Sequence, residues 1–177
     1  SHYIEYGITY KSKNYEVLNN LFNNNNYQLE SKPTLIINLQ EGKDKIWQNL
    51  ESRARNMVRK SEKNNVTIKK EEIDDHNLKQ FYMMLEGTYK RQKKKTPHPL
   101  IFYLNLKNCL NSDDIIFLSA KKNNKIIAQA IFIIDHKELF FLSGTANEDG
   151  MRYAANSAIQ WNVILLGIKM NLFTYDL

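Results

Sequence analysis

Apolar and polar residues follow two rhythms along the chain, and together they predict alternating helices and strands. Residues 3–10 (YIEYGITY) read as a short strand, Tyr15 to Phe22 as a short helix, and Asn23 to Asn26 as a polar loop. Thr34 to Leu39 is predicted to be a strand closed by Glu41-Gly42. A single amphipathic helix is expected from Asp44 to about Asn64, with Ile46, Trp47, Leu50, Ala54, Met57 and Val58 as its apolar stripe. Val66 to Lys70 follows as a short strand. A second amphipathic helix runs from Asp74 to about Lys90, with Leu78, Phe81, Tyr82, Leu85 and Tyr89 at helical spacing. Pro97-His98-Pro99 separates it from a helix over Leu100 to Leu110. Ile115–Ala120, Lys125–Ile134 and Glu138–Thr145 form a three-strand meander, whose nearly continuous apolar runs call for cover on both faces.

The last segment, Tyr153 to Leu177, reads as a nearly all-round apolar helix running into a short strand that ends on Tyr175-Asp176-Leu177. At about 100° per residue, Asn156, Gln160 and Gly167 fall within roughly 40° of one another on this helix. Such a stripe is either a face approached by something else or a set of amides capping neighbouring backbone. The preceding segment, Ala146 to Gly150, is expected to be a loop delivering the chain to a helix N-terminus, where free N–H groups favour anions.

The pattern is mixed α/β, with no repeat period and no linker long enough to divide it. At 177 residues a single domain with a real core is expected. The net charge of +6 and pI near 9.2 suit an acidic partner: nucleic acid, nucleotide or an anionic lipid-linked precursor. Cys109 is the one cysteine, which excludes a disulfide framework and a cysteine metal cluster and suggests a small buried hydrophobe. His2, His76, His98 and His136 lack metal-ligand spacing, so no metal is expected. No signal peptide and no run of about 18 apolar residues is visible, making the cytoplasm the default location.

Charge is concentrated in two places. On the helix predicted from Asp44, Arg55 and Arg59 project opposite the apolar stripe, while Arg53 and Lys60 flank its edge, the better place from which to reach a cleft. Glu51 can pair with Arg55 at i,i+4. The run Arg91-Gln92-Lys93-Lys94-Lys95 reads as a solvated loop able to touch phosphates. Glu71-Glu72, Asp74-Asp75 and Asp113-Asp114 sit at element ends as turn and cap residues. Gly-rich phosphate loops, a G-x-S-x-G elbow and an EF-hand are all absent.

A strand meander, a loop, a helix able to receive a phosphate and a following strand is the order of the GNAT acyltransferase core, and the wording resembles its FemAB-like branch. That branch has a helix reading roughly L-x-x-x-x-R-x-x-I-R-K-A-x-K-x-x-V, matched by Leu50, Arg55, Val58, Arg59, Lys60, Ser61, Lys63 and Val66. Its F-Y and T-x-x-R helix is matched by Phe81-Tyr82 and Thr88 to Arg91. Its closing small-Asn, apolar-Gln-Trp and Y-D elements are matched by Ala155-Asn156, Ile159-Gln160-Trp161 and Tyr175-Asp176. The resemblance covers about residues 34–177 and implies a central, largely antiparallel sheet flanked by helices. Members usually continue past the Y-D strand, so residues 1–177 are expected to be one such domain, truncated at its C-terminus or short by nature.

What the resemblance implies is transfer of an activated acyl or aminoacyl group, from tRNA or coenzyme A as co-substrate, to an amine, for example of a cell-wall precursor. No tightly bound cofactor is implied. Arg53, Arg55, Arg59, Lys60 and Arg91 are candidates for carrier or acceptor phosphates, Arg53 on helix geometry alone. Tyr82, Asn156, Gln160 and Asp176 are candidates for the acceptor site or reaction centre, with Asp176 as a base or else a hydrogen-bonded cap. Trp161 is expected in the core. The alternatives are a plain acetyl-coenzyme A N-acetyltransferase and a non-catalytic RNA- or anion-binding module.

Overall fold

Runs of isoleucine, leucine and phenylalanine in the middle of the chain build a sheet covered on both faces. The computed structural model describes Asn20 and residues 34–177. Apart from Asn20, the elements expected at 3–10, 15–22 and 23–26 lie outside the described residues. The strands are β1 (Ile36–Asn38), β2 (Thr67–Lys70), β3 (Ile115–Lys122), β4 (Lys125–Asp135), β5 (Glu138–Ala146) and β6 (Thr174–Asp176). They form one six-stranded sheet in the order β1-β6-β5-β4-β3-β2. Every neighbouring pair is antiparallel except β5–β6, which is parallel. The helices are α1 (Gly42–Asn49), α2 (Ser52–Lys63), α3 (Asp75–Arg91), α4 (Leu100–Cys109), α5 (Glu148–Arg152) and α6 (Ala155–Lys169).

Strand periodicity divides the core in two. Ile116, Leu118 and Ala120 of β3 pack with Ile46 of α1, Val58 of α2 and Ile159, Val163 and Ile164 of α6. Ile115 and Phe117 turn the other way, onto Leu78, Phe81 and Leu85 of α3 and Tyr103 and Leu106 of α4. Both hairpin turns of the meander place two consecutive residues at positive φ, Asn123-Asn124 and His136-Lys137, as tight two-residue connections require. Trp161 is buried and meets Trp47 with ring centroids 4.7 Å apart, in keeping with its expected core role.

Three expectations are corrected. The helix predicted over Asp44–Asn64 is two helices, because Leu50 and Glu51 are extended (ψ 142° and 146°). The break leaves carbonyls open at the end of α1, and a side chain from α2 fills them, as described below. Cys109 is exposed, since the last turn of α4 presents only Leu106 to the core. The segment after β5 is no simple loop. Asn147 caps Gly150 N at 2.9 Å and starts the single turn α5, and Ala154 at φ 56° then redirects the chain into α6. Gly150 is required there, because a Cβ would stand 2.1 Å from the Ile127 carbonyl oxygen.

Candidate functional site

The helix α6 and the strands on either side of it organise the candidate site. β5 and β6 run parallel, with Glu138, Leu139 and Phe140 opposite Thr174, Tyr175 and Asp176, and α6 is the crossover between them. Just beyond that pairing β5 carries a bulge. Ile131 faces Ser143 and Phe132 faces Phe141, so Leu142 has no partner on β4 and the strand bends there.

The far end of β5 is held from α3. The Thr88 hydroxyl donates to the Ala146 carbonyl at 3.1 Å, so Thr145 is the donor in the 2.8 Å contact between the two threonine hydroxyls. Arg91 Nη2 donates to the same carbonyl at 2.6 Å and to the Thr88 hydroxyl at 3.0 Å. Arg91 and Thr88 therefore act as a clasp on the β5 terminus. The T-x-x-R spacing puts both side chains on one helix face, one turn apart.

Of the amide stripe on α6, Asn156 is exposed and Gln160 is half-buried. Gln160 Oε1 accepts the hydroxyl of buried Tyr175, which ties α6 to β6 one residue before Asp176. Burial pushes the Tyr175 hydroxyl far above the ordinary tyrosine range, the Gln160 bond opposes this, and the negative charge of Asp176 adds to the rise. Tyr175 thus stays a neutral donor. Asp176 is half-buried, in register between Ile36 of β1 and Phe140 of β5.

Among the basic candidates the order of burial reverses the expectation from a continuous helix. Arg55, expected on the outer face, is half-buried, whereas Arg53, expected at the edge, is exposed. Arg55 Nη1 donates to the carbonyls of Gln48 at 2.8 Å and Leu50 at 2.5 Å, capping α1 across the break. Its charge serves the open C-terminus of that helix. Arg59 and Lys60 are exposed; Arg59 lies 5.5 Å from the centroid of the Trp47 ring.

Tyr82 faces elsewhere. With Tyr89, Glu86 and four lysines, Lys90, Lys93, Lys94 and Lys95, it lines an open cleft of about 820 Å³ between the C-terminal half of α3 and the segment leading to α4. Its hydroxyl lies 3.2 Å from Thr96 Oγ1 across that cleft. The structure thus gathers Gln160, Tyr175 and Asp176 at the β5–β6 pair, and places Tyr82 with the lysines. Sequence reading took the lysine run as a solvated loop able to touch phosphates, without placing Tyr82 beside it. It missed Thr88 and Thr145, although the T-x-x-R match already contained the first of them. Among the described residues no cluster of side chains could hold a metal ion, and no helix is long and apolar enough to cross a membrane.

Residues 21–144 match the model of the FemAB-like family, described as peptidoglycan biosynthesis/recognition. No curated protein matches the sequence. Among solved structures the chain is similar to FemX, at 15% identity over 81% of this chain and 52% of that one, with a TM-score of 0.72. It is also similar to L-PGS from Bacillus licheniformis, at 12% identity over 89% of this chain and 48% of that one, TM-score 0.63. A third likeness is to the GCN5-related glucosamine N-acetyltransferase region of a fungal multi-domain β-N-acetylglucosaminidase, at 11% identity over 97% of this chain and 22% of that one, TM-score 0.54. The fold is therefore that of the GNAT acyltransferases, and the chain spans about half the length of FemX and of L-PGS.

Proposed function

The chain belongs to the FemAB-like family, and from that premise we propose that it takes part in transferring an activated acyl or aminoacyl group to an amine. The donor is an aminoacyl-tRNA or an acyl-coenzyme A, and the acceptor, in line with the family's description, is an amine of a cell-wall or envelope precursor. The observation that carries this reading is the parallel β5–β6 pair bridged by α6, with a bulge at Leu142 and a carboxylate at Asp176 on the paired strand.

In this mechanism a neutral amine attacks the carbonyl of the donor, and the carrier leaves with the bonding electron pair. The cleft contributes chiefly by positioning the two reactants. Negative charge gathers on the carbonyl oxygen, for which backbone N–H groups of the bulged stretch of β5 are the candidate donors. Asp176 takes the proton that the amine must lose. Gln160 and Tyr175 fix the strand that carries it. Asn156 is a candidate acceptor contact at the exposed start of α6.

The test is transfer assayed with the full-length protein, supplying aminoacyl-tRNA and acetyl-coenzyme A in parallel with amine acceptors. Asp176→Asn should lower kcat by about 10² or more while leaving the fold intact. An unchanged rate in that variant removes Asp176 from the mechanism. Failure of both donors favours the second reading, a non-catalytic anion-binding module, which the lysine-lined cleft supports.

A further inference from the structure

The lysine run after α3 is held in a defined turn, and that turn gives it a shape. Lys94 N donates to the Tyr89 carbonyl at 2.9 Å and Lys93 N to the Lys90 carbonyl at 3.1 Å, with Lys93 at φ 56° between them. This is the hydrogen-bond pattern of a Schellman helix end, in which the left-handed position normally belongs to glycine. A lysine there holds backbone strain that a glycine would not. The turn brings Lys93, Lys94 and Lys95 back beside Lys90, so four lysines line one open cleft of about 820 Å³. All four are exposed, and among the described residues Glu86 is the one carboxylate in the lining. Tyr82 and Tyr89 supply aromatic wall, and Thr96 a hydroxyl.

We propose that this cleft is a binding site for adjacent phosphate groups, either a diphosphate or consecutive phosphodiesters of a nucleic-acid strand. Four like charges gathered in one cleft repel one another, and a bound polyanion relieves that repulsion. Lysine serves as a point charge for phosphate without demanding a fixed fork geometry, which suits an open cleft. The two tyrosines add faces on which a base can stack. The site is also tied to the bulged strand, since Arg91, next to Lys90, holds the end of β5. A ligand gripped by its phosphates here would be anchored to the helix that fixes β5. The site stands on the cleft itself, and rests on the acyl-transfer reading only for the use made of the ligand.

Binding of three probes to the full-length protein tests it: inorganic diphosphate, coenzyme A and a labelled single-stranded RNA oligonucleotide, each over a range of salt. The comparison is between a Lys93→Ala/Lys94→Ala/Lys95→Ala variant and a control of equal net charge, Lys43→Ala/Lys63→Ala/Lys169→Ala, whose lysines are exposed elsewhere. At least one probe should bind, and the cleft variant should lose about tenfold or more in affinity while the control does not. For RNA the slope of log affinity against log salt should flatten by about 2, as expected for three lost phosphate contacts on a single strand. Loss for diphosphate and coenzyme A identifies a diphosphate ligand, and loss for RNA alone identifies a strand; either supports the site. No binding by any probe, or equal affinity in both variants, overturns it. A protein that binds here but transfers no acyl group keeps the site and loses the proposed activity.

Discussion

Leu39 occupies the space that a side chain on Gly167 would need: its Cδ1 lies 2.7 Å from where a Cβ would stand. Leu39 is 2% exposed and belongs to the 3-10 turn that follows β1. The glycine in the α6 stripe is thus a groove for this leucine. Gly167→Ala gains about 1 kcal/mol in helix propensity but overpacks a buried contact, which costs about 1–3 kcal/mol. A net loss of about 1 kcal/mol in unfolding free energy is expected by denaturant titration. Coupling to Leu39→Ala in a double-mutant cycle checks the cause, because the two changes should be clearly non-additive. Strict additivity would place the strain elsewhere.

Arg55 links two helices that the hydrophobic pattern merges into one. Its guanidinium bonds the open carbonyls of Gln48 and Leu50, so Arg55→Ala leaves acceptors unpaired at the half-buried break. The expected cost is about 1.5–3 kcal/mol, the range for hydrogen bonds to a charged group. Arg55→Lys should recover only part, because one ammonium cannot reproduce the fork. Thermal unfolding of both variants measures this. A loss below about 0.5 kcal/mol would free Arg55 for a ligand role.

The contrast with Arg59, four residues on, shows what the sequence could and could not reveal. Both arginines satisfy the family pattern and share a face of an ideal helix, yet only one is spent on backbone. The difference lies in the break at Leu50-Glu51, which carries no proline or glycine to announce it. Strands β3 to β5 were legible nearly to the residue, because their apolar runs and asparagine-rich or His-Lys turns act locally. The parallel pairing of β6 and the clasp of Thr88 and Arg91 on β5 were not, since both depend on partners more than thirty residues away in sequence. The reach of Gln160 to Tyr175 was half visible: the stripe marked the amide, and only the register of β6 supplies its partner.

Lys93→Gly should stabilise the protein while weakening the cleft. Relieving a left-handed lysine returns about 1 kcal/mol, offset in part by the greater freedom of glycine in the unfolded chain. The unfolding midpoint should rise slightly, and affinity for a bound polyanion should fall with the lost charge. A drop in midpoint would mean that the Lys93 side chain makes a stabilising contact worth more than the strain.

Glu71 connects stability to acid pH. Burial raises its carboxyl, but bonds from Lys121 Nζ (2.7 Å) and the Ser119 hydroxyl (2.5 Å) outweigh that and hold it below the ordinary value. A carboxyl with a depressed folded-state value stabilises the protein fully above the unfolded value of about 4.3, and the contribution is lost as pH falls through the folded one. Wild type should therefore lose stability more steeply than Glu71→Gln below about pH 4.3. Unfolding free energies measured from pH 6 downward give the two slopes, and equal slopes would sink the assignment.

Gln129 is fully buried, and neither its Nε2 nor its Oε1 has a hydrogen-bond partner among the described residues. It sits on β4 in a polar row across the sheet, between Ser119 on β3 and Thr145 on β5. Both neighbours are already committed, Ser119 to Glu71 and Thr145 to Thr88. Replacing the amide by an apolar side chain of similar shape therefore strands neither of them. An unpaired buried amide costs about 1–3 kcal/mol, and an unbranched thioether fills nearly the same volume without that penalty. Gln129→Met should accordingly raise unfolding free energy by about 1 kcal/mol or more. The outcome that contradicts this is a loss of similar size, which would require the amide to be satisfied by an ordered water or a bound molecule in the row between Ser119 and Thr145. Gln129→Glu separates the cases further: a carboxylate buried in this unpartnered position should destabilise strongly at neutral pH and recover as the pH is lowered.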